Sequence, residues 1–365
     1  MFPGDFLGTA SRQAASPSGA KAPRISAVGY AVPPRRYSQS EIVERFSIDD
    51  AKIRALFSKS HIEGRHLYMP PSVDGQPSDD LDELIARHKY GMLDMGRRAV
   101  EACLTEGGLR PADVDLFVTV SSTGFLCPGI SAHLTKAMGF REDVRRLDIL
   151  GMGCNAGMNG LQPATDFVRA HPGKKALVLC CEVCSAAYLH DGTMRTAVVN
   201  SLFGDGSAAA LMTDDDAAYP DRPRLLDFES HIIVGAIDAM RFDQEQGRLS
   251  FYLDREIPYA IGANIRKPVE RLLARAGLKK REIAHWVVHS GGKKVIDSIK
   301  YNIGLSNHDL RHTRSVLRDF GNVSSGSFLF SLSRLFEEAR PVAGDFGVLV
   351  AMGPGTSIET GLVQW

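Results

Sequence analysis

Cys154 is the residue of this 365-residue chain best placed for covalent chemistry. It follows the strand-like run Asp148-Ile149-Leu150 and the glycines Gly151 and Gly153. It precedes Asn155-Ala156-Gly157-Met158-Asn159, which can open a helix. A thiol placed there meets the positive end of the helix dipole. The expectation is a stabilised thiolate with a lowered pKa, nucleophilic near neutral pH. Free backbone N–H groups at the helix start could also hold an oxyanion. A buried structural cysteine on a glycine turn is the alternative. Such a nucleophile needs a base or imidazolium partner, and often a third polar group. Among eleven histidines, His289 ends the apolar run Trp286-Val287-Val288 and precedes Gly291-Gly292, which let a ligand approach the backbone closely. Its alternative is a satisfied core histidine. Asn322, in Phe320-Gly321-Asn322-Val323-Ser324-Ser325, opens a further helical pattern, so a helix N-cap is the alternative there. The three residues support one another because each stands at an element boundary.

Two segments share a pattern that bears on how these residues are held. Gly108-Leu109-Arg110 through Ser121 and Gly277-Leu278-Lys279 through Ser290 each read as helix end, Gly-Leu cap, basic turn, acidic residue, buried strand and serine. The spacing predicts a duplicated chain, with halves over 24–215 and 216–365. Apolar strands are expected at Val28–Val32, Leu116–Val120, Ala176–Cys180, Ala208–Met212 and Gly347–Met352, buried on both faces. Helices are expected near 39–58, 88–107, 130–138, 155–170, 259–276, 292–303 and 325–338. The alternation implies a layered α/β fold, in which ligands bind beyond the carboxyl ends of strands. Cys154, His289 and the Gly353-Pro354-Gly355 turn all lie just past such ends.

Composition narrows the classes. Lys+Arg and Asp+Glu are both 43, so the formal charge is zero, and no basic block suggests nucleic acid. No apolar run is long enough to span a bilayer, so no membrane partner is expected and the location expected is cytoplasmic. Residues 1–23 are rich in Ala, Ser, Gly and Pro and read as a disordered leader. The six cysteines are expected to be free thiols. Cys181-x-x-Cys184 is half of a zinc or redox pattern with no second pair, so no metal is expected.

The ordered segments Gly153-Cys154-Asn155-Ala156-Gly157, Ser201-Leu202-Phe203-Gly204-Asp205-Gly206, Gly235-Ala236-Ile237-Asp238, His289-Ser290-Gly291-Gly292, Gly321-Asn322-Val323-Ser324-Ser325 and Met352-Gly353-Pro354-Gly355 carry a resemblance. From about Arg24 to Trp365 the chain resembles a type III polyketide synthase, the chalcone synthase-like branch of the thiolase fold. The resemblance implies duplicated βαβαβαββ halves in five layers, α-β-α-β-α. Cys184-Ser185-Ala186-Ala187-Tyr188, Asp191 through Asn200, Ser290 through Lys294, His308 through Thr313 and the closing Gln364-Trp365 are similar to bacterial 3,5-dihydroxyphenylacetyl-CoA synthases.

Carried over by position, Cys154 holds the growing acyl chain as a thioester and pairs with His289. His289 and Asn322 bind the malonyl-CoA thioester oxygen and stabilise the enolate left when CO2 departs. Phe203 and Phe251 match gatekeeping aromatics between CoA tunnel and cavity. Cys184, Ala187 and Ser324 fall among the substrate-binding positions, with Cys184 and Ala187 replacing hydroxyl-bearing residues of the plant enzymes. Lys52, Lys59 and Gly292 fall at CoA-binding positions, while Ala55 stands where the family has a third basic residue. Cys127 occupies a dimer-interface position. The resemblance implies malonyl-CoA as starter and extender, CoA thioesters as substrates with no bound cofactor, a homodimer, and enoyl-CoA hydratase-like helper enzymes. Other starters or products, a ketoacyl synthase of the kind that initiates fatty acids, a thiol protease and a non-catalytic scaffold remain as alternatives.

Overall fold

The computed structural model describes residues 21–365 except 71, 74, 75, 78, 79, 246, 247, 339 and 340. Most of the expected leader, residues 1–20, therefore lies outside the described residues. Nine strands form the main sheet: β1 (Arg24–Ala31), β2 (Leu116–Ser121), β3 (Arg145–Leu150), β4 (Ala176–Glu182), β5 (Gly206–Thr213), β6 (Arg224–Ile232), β7 (Ile283–Val288), β8 (Phe346–Gly353) and β9 (Ser357–Gln364). Their spatial order is β7-β8-β9-β6-β1-β5-β4-β2-β3.

The duplication is written in the strand directions. β2 runs parallel to β4, β4 antiparallel to β5, and β5 antiparallel to β1. Likewise β7 runs parallel to β8, β8 antiparallel to β9, and β9 antiparallel to β6. The two units join where Arg24 of β1 pairs with Arg224 of β6. The repeated motif matches bond for bond. Leu109 N donates to Leu104 O and Leu278 N to Leu273 O, both at 2.9 Å. Arg110 N then donates to the Asp113 carboxylate, and Lys279 N to that of Glu282.

Side-chain alternation along the strands builds the layers. In β4, Leu177 and Leu179 face an outer cluster with Met92, Met95 and Ala99 of the helix Leu81–Glu106. Val178 and Cys180, between and after them, face the middle cluster. That middle layer consists of α1 (Ala156–Ala170) and α2 (Ser327–Glu338), which bury Met158, Leu161, Phe328 and Leu332 between Val118 of one unit and Leu349 of the other. The second outer layer packs Ile261, Leu272 and Ile299 on Trp286, Val350 and Leu362. The result is the five-layered α-β-α-β-α arrangement. Each fully buried side chain of this size contributes roughly 1.5–3 kcal/mol.

The halves differ in one respect that matters for the site. The first has a fifth strand, β3, leading to Cys154. Among the described residues the second has four; its chain passes through the helix Arg311–Phe320 to Asn322, which forms one parallel bridge with Phe203.

Candidate active site

The two middle helices bring their N-terminal ends together. A short 3-10 turn, Gly153–Asn155, opens α1 and carries Cys154; another, Ser324–Gly326, opens α2. The Cys154 Sγ lies 3.5 Å from the Ser324 hydroxyl. Gly153 has φ +74°, and a Cβ there would stand 2.1 Å from Pro354 Cδ, so the Gly-Pro-Gly turn after β8 sits directly on the cysteine turn. Ser122 holds the same turn from the other side, its hydroxyl accepting from Gly153 N at 2.7 Å.

Asn322 has a defined amide orientation. Its Oδ1 accepts from Ser324 N at 2.9 Å and from the Ser327 hydroxyl at 3.4 Å, so its NH2 points the other way. That NH2 has one long bond, 3.5 Å to Gly291 O, and the Asn322 side chain acts to lower the Cys154 thiol pKa. Ser324 adopts φ +50°, a strained value for serine that this loop imposes. His289 sits just past β7, 1% exposed, its N–H bound to Val350 O at 2.8 Å. Its ring lies against Gly291, where a Cβ would be 3.2 Å from Nε2, and its buried Nδ1 has no partner among the described residues. Gly291 thus links His289 to Asn322, and Asn322 acts on the sulfur.

The electrostatics correct one expectation. A helix-start position predicts a thiol pKa below the ordinary value. Burial instead pushes the Cys154 thiol up to about 12; Ser324 and Asn322 pull it down only partly, and the Glu182 carboxylate opposes them. Burial likewise holds His289 down at about 3. Burial favours the uncharged form of each group, because removing a charge from water outweighs the few dipoles of a three-residue turn.

The cavity beside Cys154 is lined by Cys184, Ala187, Phe203, Phe251 and Ser324, every expected substrate-binding residue. Phe203 and Phe251 meet edge to face at 5.4 Å. Phe251 belongs to the hairpin Met240–Glu245 and Arg248–Leu253, where it pairs with Phe242, another lining residue. Lys52 and Lys59 do not line this cavity. They are exposed on the helix Ala51–Ser58 and at its C-terminal cap, while that helix buries Ile53 and Phe57 in the cluster that includes Cys154. Gly292, the N-cap of Lys293–Ile303, and the exposed Cys127 also lie off the cavity wall.

The chain also matches known protein families and structures. Residues 37–276 match the family model described as FAE1/Type III polyketide synthase-like protein, and residues 233–365 match that for the chalcone and stilbene synthases, C-terminal domain. The chain is 51% identical to 3,5-dihydroxyphenylacetyl-CoA synthase of Amycolatopsis balhimycina, over 94% of this chain and 93% of the relative. It is 52% identical to the enzyme of that name from Streptomyces toyocaensis, over 94% and 90%. The chain belongs to the type III polyketide synthase family. The crystal structure of 1,3,6,8-tetrahydroxynaphthalene synthase from Streptomyces coelicolor A3(2), itself of the family, superposes with a TM-score of 0.82 at 27% identity, covering 94% of this synthase and 99% of that chain. Membership makes the protein an acyltransferase.

Sequence reasoning passed over one group that the synthase places at its centre. Glu182 is fully buried at the end of β4. It accepts from Ser122 N at 2.9 Å and from the Ser325 hydroxyl at 2.5 Å. Burial pushes its carboxyl up to about 7. The signal was a lone acid inside the apolar run Leu179-Cys180-Cys181-Glu182-Val183. Cys181 and Cys184 of the same run diverge, Cys181 into the outer cluster and Cys184 into the cavity.

Proposed function

We propose that this synthase builds 3,5-dihydroxyphenylacetyl-CoA from malonyl-CoA alone. The observation that carries the reading is the identity of 51–52% with synthases of that product across nearly the whole chain. Cys154 loses its proton to the His289 imidazole as a CoA thioester arrives, attacks the thioester carbonyl and expels CoA thiolate, which takes a proton from solvent and leaves the His289 ring protonated. A malonyl-CoA then loses CO2, and the electrons of the broken C–C bond become an enolate. Its oxygen accepts from the His289 N–H and the outward-facing Asn322 NH2. The enolate carbon attacks the Cys154 thioester and the Cys154 thiolate leaves; the chain, two carbons longer and now a CoA thioester, passes back to Cys154 with release of CoA before the next round. An acetyl starter and three further units give eight carbons, which cyclise and leave as a CoA ester.

Phe203 and Phe251 gate the cavity, Cys184, Ala187 and Ser324 shape it, and Lys52, Lys59 and Gly292 hold CoA outside it. CoA thioesters are substrates, and no bound cofactor takes part. The enzyme acts as a cytoplasmic homodimer whose interface includes Cys127. The edge strand β3, with exposed Leu147 and Leu150, and the exposed Phe125 support that interface. Among the described residues no helix is long and apolar enough to cross a membrane. Enoyl-CoA hydratase-like partners assist dehydration and aromatisation.

The test is incubation of the purified protein with malonyl-CoA alone, then with malonyl-carrier protein, with products identified by mass spectrometry. A dihydroxyphenylacetyl product, or its unaromatised precursor, from malonyl-CoA supports the reading. Dependence on the carrier protein overturns it.

A further inference from the structure

Among the described residues, Arg65 is the largest fully buried side chain that the chemistry above does not use. It stands in the short strand Gly64–His66 and is 0% exposed. Among the described residues, none of its hydrogen-bond acceptors is a carboxylate. The two Nη1 hydrogens are shared among the carbonyls of Asn200 and Phe203, each at 2.6 Å, and the Tyr188 hydroxyl at 2.9 Å. Nη2 donates to Gln39 Oε1 at 2.8 Å. Asp205, the carboxylate acting on it electrostatically, accepts instead from Ser185 and from Tyr68 N. A buried cation without a bonded counter-ion is costly, and an apolar side chain would pack there more cheaply. Stability alone does not explain it.

What it touches does. Asn200 and Phe203 lie at the C-terminal end of the helix Met194–Leu202, whose last carbonyls need donors and favour a cation. Tyr188 donates to the same Phe203 carbonyl, and Gln39 Nε2 donates to Ser201 O at 2.9 Å. Phe203 is tied in turn to Asn322: Gly204 N donates to Asn322 O, and Asn322 N to Leu202 O, both at 2.9 Å. The Arg65 stem runs beneath that bridge. Gly321 has φ +72°, and a Cβ there would be 2.8 Å from Arg65 Cδ. One side chain therefore braces both the cavity aromatic Phe203 and the amide of Asn322.

We propose that Arg65 is a positioning residue that locks the Phe203 gate and the Asn322 donor into one register, so that each decarboxylation is followed by condensation. The inference rests on the roles proposed above for Phe203 and Asn322. With the lock loosened, an enolate still forms at times but meets a misplaced thioester and is quenched by a proton to acetyl-CoA. Lys keeps the charge but, as a single ammonium, cannot replace both Nη1 and Nη2 across these four acceptors.

The experiment compares Arg65→Lys and Tyr188→Phe with wild type. It measures CO2 release and polyketide formation from malonyl-CoA in the same reaction, the product lengths, the melting temperature and iodoacetamide labelling of Cys154. In Arg65→Lys, condensation is expected to fall roughly 10–10²-fold, as for a misplacement of about an ångström. CO2 release falls less, acetyl-CoA accumulates and shorter products appear. Tyr188→Phe shifts the same ratio in the same direction by a smaller factor, and it decides the matter if Arg65→Lys does not fold. Folded variants with the wild-type ratio of condensation to CO2 release overturn the proposal. So does a proportional fall of both rates that merely tracks a lower melting temperature. If wild type itself makes no polyketide, the proposed function fails instead, so the two failures are distinguishable.

Discussion

Cys154 is under two opposed influences, and their balance has a readable consequence. Donors from Ser324 and Asn322 favour the thiolate, while burial and the Glu182 carboxylate favour the thiol and win. The rate of Cys154 alkylation by iodoacetamide should therefore keep rising with pH from 6 to 10, with no plateau in the neutral range. Ser324→Ala, which deletes a donor to the sulfur, should slow labelling at each pH. A plateau already reached at pH 6 would show an anionic sulfur at rest and contradict this balance. Asn322 invites a second test. Its Oδ1 is held by two donors, which frees the NH2 for an enolate oxygen. Asn322→Ala should lower malonyl-CoA decarboxylation by about 10²–10³-fold, the usual loss for one oxyanion donor. An unchanged rate would remove Asn322 from that step.

At the scale of elements, the site depends on three turns packed head to head: the one opening α1, the one opening α2, and the turn after β8. Gly153 is where the first and third meet. Gly153→Ala should cost roughly 1–3 kcal/mol for the left-handed backbone alone, and the overlap with Pro354 adds to it. A lower melting temperature together with a lost condensation rate is expected, read by thermal unfolding and product assay. A variant matching wild type in both would show that the turns are not in firm contact. These turns were legible in the sequence because glycine, proline and asparagine punctuate them. The strands buried on both faces, such as β4 and β5, were legible from continuous apolar runs. By contrast, β6 reads Arg-Leu-Leu-Asp-Phe-Glu-Ser-His-Ile and β9 carries Glu359 and Thr360, so their polar residues hid them. The helix Arg311–Phe320 escaped notice because only His312, Thr313, Val316 and Leu317 face inward among charged neighbours. Arg65 and Glu182 were illegible for a different reason: a single charged residue looks solvated until the fold closes over it.

At the scale of the molecule, the two halves contribute unlike parts to one site, Cys154 from the first and His289 and Asn322 from the second, so neither half holds the reaction alone. The closure that brings them together also buries titratable groups, which makes stability depend on pH. Burial holds His289 down at about 3 and His88 and His312 at about 4. Each stays neutral in the native state while the unfolded chain takes up a proton, so each withdraws stability as pH falls below about 6.5. Glu182, pushed up to about 7, and Asp205, to about 6, act in the opposite direction. Their native states hold protons that the unfolded chain has released above about pH 4, so they withdraw stability as pH rises through those values. The groups around Glu182 are Ser122, Thr123, Ser324 and Ser325, all neutral, together with the thiols of Cys154, Cys180, Cys181 and Cys184. No nearby cation relieves it among the described residues. Glu182→Gln should therefore differ little from wild type near pH 4.5 and gain on it progressively up to about pH 7.5. The advantage should then level off at roughly 3 kcal/mol, the equivalent of the shift. Melting temperatures of both proteins across that range measure the difference, which cancels the histidine contribution common to both. A constant gap from pH 4.5 to 7.5 would mean that the Glu182 carboxyl is ionised throughout, held by its four hydroxyl and amide neighbours more strongly than burial opposes it.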